Sequence, residues 1–269
     1  MKKLLQRYKI IFPSEHGSWP LTLTPFVIGA GVAGRFPLPV WLCLLAILAL
    51  FLARQPISLW LRIRRGKARR ADAPAAIFWS LLLSGIAALA GIGLLLSGRQ
   101  AILWLAAPAV GVLALTLGLG AWLGPRRLSV ELIGVVGLAL AAPAAYVAAT
   151  GTLDTTAWLV WGISALHSVI SVLYVRLRVD ATHRRLSPAG ARMVVLAHLL
   201  SLGIVLGTAA GGWLPWLVAL PIALLLVRAV YAAWRRPPLD NVKRFGFTEI
   251  GYSLAFAAIV IIAFLIAQR

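Results

Sequence analysis

His167, Ser171, Tyr174 and Arg178 stand at i, i+4, i+7 and i+11, so a helix through them carries all four on one face. An imidazole, a hydroxyl, a phenol and a guanidinium in one row can hold an anion or relay a proton. The same stripe also reads as interhelical hydrogen bonding with no ligand. The chain places its other ionisable groups sparingly in apolar surroundings: Glu15 and His16 (followed by Trp19), Arg54, Glu131, His198, Arg228 and Glu249. Glutamates in a first helical turn also satisfy the macrodipole, and each could pair with Arg54, Arg178 or Arg228. Asp180 and His183 follow the stripe. Asp180 can pair with Arg178 or Arg184, or offer one ligand to a cation, but magnesium usually wants two carboxylates. His167 and His198 read more simply as packed histidines than as haem ligands. The single cysteine, Cys43, permits neither an internal disulfide nor a thiolate metal site. No metal and no cofactor is expected.

These residues need a scaffold, and composition dictates its class. Of 269 residues, 61% are hydrophobic and 12% charged, whereas a soluble domain carries about 25% charged residues. A spanning helix takes about 20 apolar residues. Apolar runs bounded by Pro, Gly and Arg predict nine spans at roughly 18–34, 37–53, 74–96, 101–123, 129–149, 156–175, 189–210, 214–233 and 248–267. The expected fold is therefore an all-α polytopic transmembrane bundle, one transmembrane domain filling the chain. The basic start reads as the lead-in to a retained first helix and not as a cleaved signal, because Pro13, Glu15 and His16 interrupt the apolar region behind it. Pro56 to Arg70, apolar and basic by turns, suits a separate helix lying in the interface. Small residues such as Ala87, Ala88, Gly91 and Gly93 suit close helix packing.

Loop charge orients this bundle. With nine alternating spans, all but three of the 26 Lys and Arg residues fall on one side, the exceptions being Arg35, Arg99 and Arg269. The positive-inside rule then puts the N-terminus in the cytoplasm and the C-terminus outside. It also accounts for a net charge of +19 without nucleic acid, and it turns the basic face toward anionic phospholipid. His167 lies nine residues before Arg176, about 13 Å deep at 1.5 Å per residue. The polar groups within spans all fall in the cytoplasmic half, which predicts a polar cavity open to the cytoplasm. No internal repeat is visible of the kind many transporters carry.

Pro13-Ser14-Glu15-His16-Gly17-Ser18-Trp19, followed by Pro25-Phe26 and Gly29, resembles the opening signature of the YwiC-like family of bacterial membrane proteins. That resemblance implies a multi-pass protein of the bacterial cytoplasmic membrane and brings no reaction with it. A fainter likeness is to UbiA-type prenyltransferases, which also have nine helices, a cytoplasm-facing cavity and working motifs after helices 2 and 6. Their first motif is aspartate-rich, whereas this chain reads Ala53-Arg54-Gln55-Pro56-Ile57-Ser58. Of the second motif's aspartate pair, only Asp180 is present, with His183 at the partner spacing. Magnesium-dependent prenyl transfer is not expected, since ionising a diphosphate needs its charge neutralised. Arginines can hold such a head directly. One reading is a pocket for an isoprenoid phosphate or another anionic lipid, with Arg54, Arg178 and Arg228 at its head. The alternatives are a transporter or permease, in which buried His and Glu relay protons, and a non-catalytic assembly factor for a respiratory or haem enzyme.

Overall fold

The computed structural model describes residues 18–123, 127–239 and 241–268. Among these every regular element is a helix, as lipid requires, because only a helix or a closed barrel satisfies its own backbone there. The helices are α1 (Ser18–Ala33), α2 (Leu38–Arg64), α3 (Ala73–Leu96), α4 (Leu103–Leu123), α5 (Leu128–Leu138), α6 (Ala141–Thr150), α7 (Thr155–Thr182), α8 (Pro188–Ala210), α9 (Ala219–Arg235) and α10 (Val242–Ala267). Helices α5 and α6 form one span, so eight spans among the described residues are long and apolar enough to cross a membrane; α1 is shorter. The protein is a multi-pass integral membrane protein. Successive spans reverse direction, which gathers the described Lys and Arg residues at one end, called here the basic end. Arg35 and Arg99 lie at the other. Exposed tryptophans ring both ends, Trp41, Trp104 and Trp213 at one and Trp122 and Trp234 at the other, as expected of side chains that settle at a bilayer interface.

The turns follow local chemistry. After α3, Gly98 adopts φ +76°. Its N–H donates to Leu95 O, and the N–H of Arg99 donates to Leu94 O, both at 3.0 Å, which together make a Schellman stop. Side chains cap three N-termini: Asp154 accepts from Ala157 N, Ser187 from Gly190 N and Asn241 from Arg244 N.

Two elements differ from the sequence expectation, both at prolines. Helix α2 runs unbroken through Pro56 to Arg64, so no separate interfacial helix begins there. The ring is buried, α3 packs along the same helix, and membrane helices tolerate the one lost backbone bond. The fifth span, by contrast, breaks between Leu138 and Ala141. Pro143 has no N–H for the carbonyl of Ala139, and the ladder tightens there, with Leu140 N donating to Gly137 O and Ala142 N to Ala139 O.

Helix α1 is the hub. It packs on α6, α7 and α10 and buries Thr22, Ile28, Ala30 and Val32. This enclosure suits a helix of 16 residues, about 24 Å long and shorter than the ~30 Å hydrocarbon core. One core joins α1 and α6 to α7–α10, and a second joins α1 and α6 to α2 and α3. Helices α3 and α4 stand at the periphery, exposing Leu81, Leu89, Trp104 and Trp122.

Candidate functional site

Tyr174, Arg178, Arg228 and Glu249, drawn from α7, α9 and α10, meet at the basic end of the bundle. Arg228 makes a two-pronged pair with Glu249, Nη1 to Oε1 at 2.9 Å and Nη2 to Oε2 at 3.1 Å. Their side chains are only 11% and 17% exposed. The guanidinium carbon lies 3.8 Å from the ring centre of Tyr174 and 4.1 Å from that of Tyr252. A planar, weakly hydrated cation suits that sandwich, where a lysine would not. Arg178 donates to the Tyr174 hydroxyl at 3.1 Å and to Pro238 O at 3.4 Å, and its guanidinium lies 5.3 Å from the Phe245 ring centre.

A second layer lies deeper along α7. His167 is 2% exposed and stacks on Phe256 at 4.0 Å and 13°. Its Nε2 is 3.4 Å from Ser253 Oγ. The neighbouring residues Tyr252 and Ser253 thus tie the arginine layer to the histidine layer. His198 is also buried, and its Nδ1 donates to Val194 O at 2.8 Å, so that nitrogen carries a proton. Ser164 and Ser168 complete the buried face of α7. Ser253, Phe245 and Phe256 were not among the expected site residues. The signal for them lay in α10, where 245, 249, 252, 253 and 256 keep helical spacing with Glu249.

The other expected residues sit elsewhere. Glu131 on α5 pairs with Arg176 at 2.6 and 2.8 Å, both side chains more than a third exposed. Glu131→Gln is expected to change stability by less than about 1 kcal/mol, as exposed pairs do, measurable as an unchanged unfolding midpoint in detergent. Asp180 and His183 are exposed, and the His183 ring donates from Nδ1 to Val179 O at the end of α7. Ser171 is half-buried. Trp19 packs edge-on against Phe51 at 5.2 Å. Glu15 and His16 lie outside the described residues. So the polar groups expected to line an open cavity are, at their centre, paired with one another.

Arg54 belongs to a different feature. Helices α3 and α4 diverge, and a cleft of about 390 Å³ runs between them. Leu94, Ile102 and Leu105 close its far end, Gly91, Ala106 and Val110 line its middle, and Thr116 and Arg54 stand toward the basic end. Ile102 to Thr116 spans 15 residues of near-continuous helix, about 21 Å of wall. The lining is apolar except at that basic end.

A family model described as YwiC-like protein matches residues 12–146. No curated protein matches the chain, and no solved structure does, so the likeness to UbiA-type enzymes gains no support. The matched stretch holds α1 to α5 and nearly all of α6, and with them the whole cleft. On a match spanning half its length, the chain belongs to the YwiC-like family.

Proposed function

We propose that this protein binds an amphipathic, anionic lipid, with an isoprenoid phosphate as the model ligand, in the cleft between α3 and α4. The apolar tail lies along α2, α3 and α4, and Arg54 meets the charged head. The cleft carries this reading: its volume falls within the range of small-molecule sites, and its length and apolar wall suit a chain better than a compact solute. Its one cation among the described lining residues stands at the end where a head would meet the interface, and a guanidinium holds phosphate through parallel hydrogen bonds. The same charge asymmetry supports a bacterial cytoplasmic membrane setting with the basic end inward, the N-terminus in and the C-terminus out. Anionic phospholipid would surround that end.

Gly91 offers a clean test, because a Cβ there enters open space. Gly91→Phe places a ring on a wall residue of the cleft whose Cβ position is open, and Arg54→Gln removes the charge. Native mass spectrometry of protein released gently from its membrane is expected to show one retained anionic lipid on the parent. Each variant is expected to reduce its occupancy about tenfold, as loss of one charge-assisted contact would. An empty parent, or bulk phospholipid retained equally by all three proteins, would overturn the proposal.

A further inference from the structure

The layer at His167 carries an oddity that ordinary packing does not explain. Serines and threonines within these helices mostly satisfy themselves by donating to the carbonyl one turn back. Ser80 does so to Ala76 O, Ser201 to Ala197 O and Thr208 to Ile204 O. Ser164 and Ser168 do not: both hydroxyls are fully buried and have no partner among the described residues. His167 Nδ1 is buried without a partner too, as are the Nε atoms of Arg228 and Arg178. Buried polar atoms left this way are rare and each calls for a cause.

Their chemistry is uniform. In the tautomer whose Nε2 accepts from the Ser253 hydroxyl, Nδ1 of His167 is the protonated nitrogen. Both serines are free to donate, and guanidinium nitrogens only donate. In that tautomer every member of the group can donate, and none has an acceptor among the described residues. Charge points the same way. Among the described residues Glu249 is the carboxylate bonded to these arginines, so Arg178, Arg228 and Glu249 together leave one positive charge in excess. Asp180 on the next turn is exposed. Exposed Arg184, Arg235, Arg236 and Lys243 surround the approach at the basic end and would concentrate anions there.

We infer that α7, α9 and α10 form a site for a phosphate-type oxyanion, reached from the basic end past Arg178 and received by Arg228 Nε, His167 Nδ1, Ser164 and Ser168. Phosphate supplies several acceptor oxygens for this many donors, and its negative charge more than offsets the single positive excess. The site is independent of the α3–α4 cleft.

The test uses the full chain in detergent and in nanodiscs. Inorganic phosphate, titrated against chloride at constant ionic strength, is expected to raise the unfolding midpoint saturably, as selective binding to the folded state must. Ser164→Ala/Ser168→Ala removes only unpartnered hydroxyls, so its ligand-free midpoint should equal or exceed the parent's. Its phosphate affinity should fall by tenfold or more. A rise with phosphatidic acid in nanodiscs but not with inorganic phosphate, again weakened by the serine double variant, would assign the oxyanion to a lipid head. No rise with either ligand, or an equal rise in parent and double variant, would overturn the inference.

Discussion

Glu249→Leu is expected to cost about 3–5 kcal/mol of stability, the loss seen when one partner of a buried ion pair is removed. Arg228 cannot reach water easily, being 11% exposed and held between two tyrosine rings. The remaining charge would sit among apolar helices, where an isolated cation is costly. Arg228→Met/Glu249→Leu is expected to recover most of the loss, because removing both charges ends the desolvation penalty of each. Denaturation in mixed detergent micelles, comparing parent, single and double variants, measures both effects. A single variant as stable as the parent would show that the pair is screened by solvent and contributes as little as a surface pair does.

The pairing of Glu249 with Arg228 was one of several options open in the sequence, and so was the face of α7 that meets it. Both were legible because lipid makes ionisable groups scarce, so few partners compete for each. The spans were legible for a related reason: every backbone bond must close locally, and hydropathy then marks each helix. What escaped notice depended on distances between helices. Ser164 and Ser168 read as ordinary small residues, and only the fold shows that their hydroxyls lack the usual backward bond. Gly93 does pack closely, its Cβ position 3.0 Å from Leu42 Cδ1, but Gly91 faces open space. One stretch of small residues thus makes both a tight contact and a cleft, which composition cannot separate. Prolines divided the same way. Pro56 lies within a continuous helix and Pro143 follows a break, and neighbouring packing decides between them.

Gly29→Ala is expected to damage the bundle more than the same change at Gly31 or Gly91. Gly29 follows the Pro25-Phe26 pair on α1, and a Cβ built on it collides with the backbone carbonyl of Ala142, with the carbonyl carbon at 2.7 Å. Neither side can yield by turning a rotamer. The contact joins the hub helix to α6, just past the turn that Pro143 imposes, so relief requires moving one whole helix off the other. Overpacking a well-fitted core costs about 1–3 kcal/mol and occasionally more. A backbone-on-backbone clash belongs at the upper end. Gly31→Ala meets the Ile261 side chain instead, whose flexible end can move, so its cost should be smaller. Gly91→Ala meets nothing within 4 Å and should be neutral, or stabilising by about 0.5–1 kcal/mol, as alanine is in a helix interior. Unfolding midpoints of the three variants in one detergent give the order directly. If Gly29→Ala matched Gly91→Ala, α1 and α6 would be separable at no cost, and α1 could not be the element around which both cores are built.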